Sequence, residues 1–314
     1  MNQILSGSLG FAASWDQPVR YIEKTHAWYD ALGYGNPYQY AHYTDAPFTA
    51  LSKPLAASRV TLLTTAAPYR ADKGDQSAKS PYNAGAKFYA VYSGDTADDH
   101  DLRVSHVGVD RAELQDDSNC WFPLPALRRV VAAGRIGALT QRFHGVPTNR
   151  SQRHTIEVDA REVLRRVRED FSDVAILVPN CPVCHQTMSL VSRILEQEGI
   201  PTLVMGAAKD IVELCGVSRF LFTDFPLGNS AGRPFDAASQ DSMLELALRV
   251  LESAPAARTT VQNPLRWDAS AKWKENYLNV AALTPEELAR RRAQNDGVKQ
   301  VARVVRESTL LVKA

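Results

Sequence analysis

The stretch 174–195 constrains the fold of this 314-residue chain more than any other part of the sequence. Residues 174–178 (Val-Ala-Ile-Leu-Val) form an uninterrupted apolar run, which is typical of a strand buried on both faces. A Pro-Asn pair ends the run, and from Pro182 onward apolar residues recur at helical spacing. The pattern predicts a buried strand that turns directly into a helix, with Cys181 and Cys184 at the turn.

The rest of the chain repeats this alternation of strand and helix. Apolar runs of strand length occur at 59–65, 102–107, 136–140, 174–178, 201–205 and 220–223. Segments with helical spacing occur at 19–32, 123–133, 159–171, 182–198, 208–215, 236–253 and after 284. Such alternation predicts an α/β fold, in which helices cover both faces of a parallel sheet.

The strands fall into two groups of three, which suggests two flavodoxin-like or Rossmann-like halves. We predict an N-terminal α/β half at 1–150, a C-terminal α/β half with the cysteine pair at 151–260, and a helical tail at 261–314. The first half contains a polar stretch at 66–101. A loop of that length is uncommon in a compact domain and suggests a lid, an interaction segment or local disorder.

Composition excludes several classes of protein. The net charge is +1, so no strong field favours nucleic acid or an anionic membrane surface as a partner. Four cysteines are too few for a disulfide scaffold. We find neither an export signal in residues 1–15 nor an apolar run long enough to span a membrane. These observations predict a cytoplasmic protein with reduced thiols.

Redox or nucleophilic chemistry is the favoured function of the cysteine pair. A thiol at a helix N-terminus gains stability as a thiolate from the helix dipole and from free backbone N–H groups. Cys181 would therefore attack a substrate, and Cys184, one turn later, would resolve the product. His185 could lower a thiol pKa, donate a proton or face solvent. We count Cys181, Cys184 and His185 as candidate catalytic residues.

Three other interpretations of the pair stay open. Structural zinc usually needs two such pairs, or one pair with two histidines, and this chain has a single Cys-x-x-Cys, so we predict no metal. Cys-Pro-Val-Cys-His also matches the c-type haem attachment pattern, although haem attachment normally accompanies export. The pair could also be two buried structural thiols.

Polar residues beyond the predicted strand ends are the candidates for substrate binding. In parallel sheets the ligand crevice lies at the carboxyl ends of the strands. Five side chains are expected there: Thr65, His106, Asp110, Asp224 and Asn229. No glycine-rich nucleotide fingerprint and no Gly-x-Ser-x-Gly elbow occurs, so we predict no nicotinamide or flavin cofactor and no serine hydrolase.

Several motifs resemble a known family. They are Pro-Asn-Cys-Pro-Val-Cys-His-Gln-Thr at 179–187, Tyr-Ile-Glu-Lys-Thr-His-Ala-Trp-Tyr at 21–29 with Leu-Gly-Tyr at 32–34, Phe-Thr-Ala-Leu-Ser-Lys-Pro-Leu at 48–55, Val-Thr-Leu-Leu-Thr-Thr-Ala-Ala-Pro at 60–68, Phe-Pro-Leu at 122–124, Gly-Arg-Ile-Gly at 134–137 and Phe-Thr-Asp-Phe-Pro-Leu-Gly-Asn at 222–229. Through them the chain resembles the glycine/sarcosine/betaine and D-proline reductase selenoprotein B family, as a member with cysteine instead of selenocysteine.

The resemblance implies a reductase. In that family a selenolate attacks the carbon that bears the amine, the C–N bond breaks reductively, and a second thiol restores the reduced pair. Cys181 takes the selenocysteine position and Cys184 the partner position. Sulfur is the poorer nucleophile, and no pyruvoyl group comes from this chain, which puts reductive deamination itself in doubt.

We predict a thiol-dependent reductase of a small molecule, acting on a C–N or similar carbon–heteroatom bond. Electrons would come from a thioredoxin-like protein or an external thiol, and a partner subunit could contribute. The subunit count is left open, a homo-oligomer included. The alternative is a non-catalytic or metal-binding subunit that uses Cys181 and Cys184 as ligands.

Overall fold

One large sheet forms the centre of the protein in a computed structural model that describes residues 17–36, 38–269 and 272–311. Eight strands build this sheet: β1 (Arg59–Thr64), β3 (Tyr92–Asp95), β5 (Ala138–Leu139), β6 (Arg142–Gly145), β7 (Val174–Val178), β8 (Thr202–Gly206), β9 (Arg219–Phe222) and β10 (Thr259–Gln262). Their order is β10-β9-β8-β7-β1-β6-β3, with β5 also paired to β1. All pairs in this sheet are parallel except β3 with β6.

Two short strands and nine α-helices complete the regular structure of the described residues. Strands β2 (Ala67–Pro68) and β4 (Leu102–Arg103) form a separate antiparallel pair. The helices are α1 (Tyr21–Ala31), α2 (Leu124–Ala132), α3 (Gln152–His154), α4 (Ala160–Glu169), α5 (Pro182–Gln197), α6 (Lys209–Cys215), α7 (Ala237–Ser253), α8 (Trp273–Asn276) and α9 (Pro285–Leu311). A π-helical turn at Thr155–Asp159 joins α3 to α4.

Both faces of the sheet are covered, because successive residues of each strand point to opposite sides. On β1, Leu62 belongs to an apolar cluster with α2 and α7, whereas Leu63 belongs to a cluster with α4 and α5. Strand β7 divides in the same way, with Ile176 on the first side and Leu177 on the second. This double burial explains why β7 reads as a continuous apolar run in the sequence.

The α/β class is confirmed. Strand β7 has the predicted bounds. Strand β1 ends one residue before its predicted end, β8 begins and ends one residue later than predicted, and β9 begins and ends one residue earlier. The two predicted groups of strands lie in one continuous sheet, because β1 of the first group pairs with β7 of the second along five residues. The chosen domain boundaries stay a prediction, and residues 1–16 lie outside the described part of the chain.

The strand predicted at 102–107 is wrong for most of its length. Only β4 forms there, and it pairs with β2 outside the main sheet. Leu102 and Val104 are buried in the apolar cluster that contains α2 and α7, whereas Val107 is exposed, so tertiary packing outside the sheet accounts for the pattern that suggested a strand. The polar stretch 66–101 contains β3, an antiparallel edge strand that periodicity did not indicate.

Among the described residues, no helix combines the length and the apolar character that a membrane crossing requires. The tail is helical, as predicted, and α9 occupies most of it.

Candidate functional site

The cysteine pair lies at the carboxyl edge of the sheet, where three neighbouring strands end. Cys181 follows β7, Thr65 follows β1, and Thr148 and Arg150 follow β6. Because these strands are adjacent and parallel, the residues after them converge. The predicted location of the pair at a crevice beyond the strand ends agrees with this arrangement.

The start of α5 fixes the geometry of the pair. Cys181 is the N-cap residue, and its sulfur accepts a hydrogen bond from the backbone N–H of Cys184 at 3.2 Å. Pro182 occupies the first turn, where its missing N–H costs nothing. The two sulfurs are 2.6 Å apart, and both cysteines are free thiols. Two sulfurs at this distance can share one proton and can close a disulfide after a small movement.

His106 and Thr148 surround the second thiol of the pair. The Thr148 hydroxyl lies 3.3 Å from the Cys184 sulfur, and a ring nitrogen of His106 lies within 4.8 Å of both sulfurs. The Nε2 atom of His106 donates to the backbone carbonyl of Thr65 at 2.6 Å, which leaves Nδ1 as the nitrogen available to sulfur. The Thr65 hydroxyl in turn accepts a hydrogen bond from the backbone N–H of Asn180, the residue before Cys181.

The two thiols have opposite pKa shifts. Burial raises the pKa of Cys181, and the neighbouring sulfur of Cys184 adds to the rise. Burial also acts to raise the pKa of Cys184, but hydrogen bonds from Cys181, His106 and Thr148, with the charge of His106, hold that pKa well below its usual value. The sequence places the stabilised thiolate on Cys181, whereas in the structure the stabilising groups surround Cys184.

A cavity of about 230 Å³ opens in front of Cys181. Cys181 forms part of its wall, and Cys184 lies behind it with no exposed surface. Six other wall residues are aromatic: Trp28, Tyr29, Tyr38, Tyr40, Tyr82 and Tyr277. Cys181 is itself only 4% exposed, so a reactant reaches it through this cavity.

Helix α5 also holds part of the aromatic wall in place. The amide of Gln186 accepts from the backbone N–H of Ala41 at 2.7 Å and donates to the hydroxyl of Tyr38. Tyr38 and Tyr40 pack edge to face with ring centroids 5.0 Å apart. The aromatic segment after α1 thus packs on the helix that carries the cysteines.

Three cationic side chains line the cavity, next to the imidazole of His106. Lys87 comes from the polar stretch of the first half, Arg150 follows β6, and Lys299 comes from α9. Burial lowers the pKa of Lys87 to about 8, and the nearby charge of Arg150 adds to this effect. Among the described residues that line the cavity, none is acidic.

His185, a candidate catalytic residue, has a different position from the one expected. It is fully buried and is not among the residues that line the cavity. Its Nε2 accepts from the backbone N–H of Ala207 at 2.9 Å, so Nδ1 carries the proton and donates to the carbonyl of Cys181 at 2.7 Å. Burial lowers its pKa to about 4, which keeps the ring neutral. His185 therefore ties the first turn of α5 to the end of β8.

Of the five candidates for substrate binding, the structure brings His106 and Thr65 to the pair. Asp224 follows β9, which lies two strands away from β7, and it forms an ion pair with Lys274 beside a separate cavity. Asn229 is fully buried in a turn and donates to the carbonyl of Pro226. Asp110 is buried, and its carboxylate accepts from the backbone N–H two residues later.

Sequence reasoning missed several cavity residues. Thr148, Lys87, Arg150 and Lys299 come from segments without a motif, and only the strand order and the docking of α9 bring them together. One signal was available, because Thr148 and Arg150 follow the predicted third strand just as Cys181 follows the fourth.

His106, Cys181 and Cys184 also form a possible metal-ligand set. Their ligand atoms lie within 4.8 Å of one another, and all three residues are buried. Two thiolates and one imidazole are donors that Zn²⁺ prefers, and catalytic zinc sites use three protein ligands. The sequence did not suggest this set, because His106 is 75 residues away from Cys181 along the chain.

Comparison with curated proteins identifies relatives in one group of reductases. The chain is 30% identical over 225 residues to D-proline reductase subunit gamma of Acetoanaerobium sticklandii, a match that covers 71% of this chain and 90% of the relative. It is 23% identical over 188 residues to glycine reductase complex component B subunit gamma of Peptoclostridium litorale. The corresponding subunit of Carboxydothermus hydrogenoformans is 24% identical over 163 residues.

The coverage of these relatives differs. The matches span 43% of the Peptoclostridium litorale protein and 37% of the Carboxydothermus hydrogenoformans protein, so the chain spans less than half of the length of these two relatives. No protein-family model and no solved structure matches the chain.

Proposed function

The chain belongs to the family of the D-proline reductase and glycine reductase component B gamma subunits, and from this membership we propose that it is a thiol-dependent reductase of a small molecule. Cys181 attacks the substrate, and Cys184 resolves the product. The bond that breaks is a C–N bond or a similar carbon–heteroatom bond. A reductase-related role agrees with the names of the curated relatives.

One observation carries this proposal: two free thiols lie 2.6 Å apart, and one of them forms part of the wall of a cavity. Cys181 meets the substrate, and Cys184 behind it is within reach of the same sulfur. The proton that Cys181 holds passes to Cys184 across this short distance, which leaves a thiolate at the cavity wall. His106 and Thr148 hold the Cys184 side of the pair in place during this exchange.

The reaction balances with the two thiols as the source of electrons. The Cys181 thiolate attacks the carbon that carries the nitrogen, a C–S bond forms as the C–N bond breaks, and the amine leaves with the proton that Cys184 had received. Cys184 is then a thiolate. The Cys184 thiolate then attacks the Cys181 sulfur, so that an S–S bond forms and the C–S bond breaks. The electron pair left on carbon takes up a proton. The substrate gains two electrons, and the cysteine pair is oxidised to a disulfide.

Regeneration needs an external reductant, a dithiol protein of the thioredoxin type or a low-molecular-weight thiol. Access to Cys181 through a cavity of about 230 Å³ favours a small thiol. The relatives are named as subunits, so we propose that a partner subunit assists this chain and supplies any group that activates the amine. The cytoplasmic location and the oligomeric state stay predictions.

The test compares single cysteine variants in the presence of a candidate substrate and a thiol reductant. We expect that Cys181→Ser abolishes product formation, whereas Cys184→Ser accumulates a covalent substrate adduct on Cys181 that intact-mass spectrometry detects. Cys215→Ser is the matched control, because Cys215 is a buried thiol that is not among the residues lining the cavity. Full activity of Cys181→Ser would refute the proposal.

The His106–Cys181–Cys184 cluster favours a second candidate, a metal-binding subunit. Metal analysis of the protein, with a count of free thiols before and after reduction, separates the two. The reductase predicts no stoichiometric metal and a reversible loss of two thiols on oxidation. Stoichiometric zinc that His106→Gln releases would support the metal site and exclude the redox pair.

A further inference from the structure

We infer that the substrate site in front of Cys181 selects organic anions that carry no cationic group, and that Lys87, Arg150 and Lys299 bind the anionic group. This inference rests on the proposed function, because it names the substrate class of the same site. It goes beyond that function, because the chemistry of the cysteine pair does not itself require a charged substrate.

The charges of the cavity are one-sided. Lys87, Arg150 and Lys299 line it together with His106, and no acidic residue is among its described lining residues. A carboxylate would find charge-assisted donors at this wall, and Arg150 could bind it through two parallel hydrogen bonds. An ammonium group in the same space would meet these cations and no carboxylate among the described lining residues, because Asp296, which pairs with Lys299 at 4.0 Å, is not one of them.

Two of the aromatic side chains in the cavity wall already hold a cation that belongs to the protein. Aromatic faces can hold a substrate cation, but Arg150 already lies over the rings of Tyr29 and Tyr38, at 5.6 and 5.7 Å from their centroids. Its guanidinium also donates to the hydroxyl of Tyr29 at 3.2 Å. These rings therefore hold the guanidinium in position and are not available as a cage for a substrate ammonium.

The backbone of Arg150 gives a second, independent sign of function. Its φ is 55°, in the left-handed region that residues with a side chain rarely adopt. Strained conformations of this kind cluster at sites where a side chain must be held in one direction.

A cationic groove continues outward from the cavity. It has a volume of about 460 Å³ and shares Lys87 and Lys299 with the cavity. Arg303 and Arg306 of α9 add two further cations, and the one acid of this groove, Glu307, is paired with Arg303 at 2.9 Å. Such a path raises the local concentration of anions at the cavity.

Alkylation of Cys181 by two reagents of similar size tests the inference without any turnover. Iodoacetate is an anion and iodoacetamide is neutral. The rate ratio of iodoacetate to iodoacetamide at Cys181 is measured by peptide mass spectrometry and divided by the same ratio for free N-acetylcysteine. We expect this normalised ratio to be about ten, which is the effect that one nearby unit charge produces at an intermediate dielectric constant.

Charge-removing variants give the matched comparison. Arg150→Gln and Lys87→Gln should each lower the normalised ratio several-fold. Arg153→Gln should leave it unchanged, because Arg153 is an exposed residue that pairs with Glu157 away from the cavity. A ratio equal to that of free N-acetylcysteine in the unmodified protein would overturn the inference.

A second measurement uses two ligands of the same ring shape and covers the case in which burial slows both reagents. Cyclopentanecarboxylate is an anion, and D-proline has the same five-membered ring and carboxylate with an ammonium group in place of one CH₂. We expect cyclopentanecarboxylate to give the same rise in melting temperature as D-proline at a concentration at least about tenfold lower. If D-proline stabilises as well or better, the inference fails, while reversible oxidation of Cys181 and Cys184 would still support the reductase.

Discussion

Replacement of His106 by glutamine tests how the cysteine pair holds its negative charge. Glutamine can still donate to the carbonyl of Thr65, so the local fold is kept, but it carries no charge and offers no ring nitrogen to sulfur. We expect the first thiol ionisation of the pair to move to higher pH, because the charge and the hydrogen bond of His106 hold the pKa of Cys184 down.

The distance sets the size of the effect. A ring nitrogen of His106 lies within 4.8 Å of the Cys184 sulfur. Two unit charges at this separation interact by roughly 3.5 kcal/mol at an effective dielectric constant of about 20. Since one pH unit corresponds to about 1.4 kcal/mol, an interaction of this size corresponds to roughly 2.5 units before screening by water. Water that replaces part of the ring screens the pair, so we expect a rise of about one to two units.

The assay is the pH profile of alkylation by neutral iodoacetamide. Because the thiolate is the reacting species, the rate at pH values below both midpoints should fall about tenfold for each unit of rise, while the rate at high pH recovers. The recovery at high pH distinguishes an electrostatic effect from a distorted site, in which the rate would stay low at every pH.

His42→Gln is the control for this experiment, because it removes an exposed imidazole that does not line the cavity. Its pH profile should match that of the unmodified protein. A midpoint in His106→Gln that moves by less than about 0.3 unit, against the expected one to two, would refute the role assigned to His106.

Three further changes have clear expected results. His185→Leu leaves the N–H of Ala207 buried without its acceptor and should lower the free energy of unfolding by about 1–3 kcal/mol in urea denaturation; an unchanged stability would contradict the role of His185 as a tie between α5 and β8. Burial, with a smaller effect of the nearby charge of Glu113, raises the pKa of Asp110 to about 6. The folded protein therefore holds a proton that the unfolded chain releases, and stability falls as pH rises from about 4 to 6. Asparagine does not titrate, so in Asp110→Asn the free energy of unfolding should fall less over this pH range, by up to about 3 kcal/mol. Unfolding curves at several pH values measure this, and the same pH dependence in both proteins would contradict the prediction. Gly297→Ala adds a methyl group to α9 that meets no heavy atom within 4 Å, so the melting temperature should rise, with a gain of about 0.5–1 kcal/mol; a lower melting temperature would show a conflict with the backbone there.

The elements that the sequence predicts well are those with local signals. Strand β7 and helix α5 come from an apolar run, a Pro-Asn break and a helical repeat that all lie within 22 residues. Edge strands β3 and β10 have weaker signals, because their residues are only partly buried and do not alternate clearly. The segment before His106 suggested a strand because burial in an apolar cluster outside the sheet selects apolar residues, just as burial in a sheet does.

In the candidate site, too, the residues placed by local structure were predictable and those placed by tertiary structure were not. Cys181 and Cys184 were predictable as a pair, since residues three apart at a helix start always lie close together. The separation of Asp224 from them was not predictable, because it depends on β8 lying between β7 and β9. The inward orientation of His185 depends on the backbone of Ala207, which belongs to another part of the chain.

By itself the sequence determined the α/β class and the position of two thiols at the first turn of a helix, because spacing and period act over a few residues. The tertiary structure alone decided what surrounds those thiols. The order β7-β1-β6 brings Thr148 and Arg150 to Cys181, and α9 closes the cavity with Lys299. Which strands pair, and where a distant helix docks, depends on the burial of whole faces against one another, and local spacing does not record it.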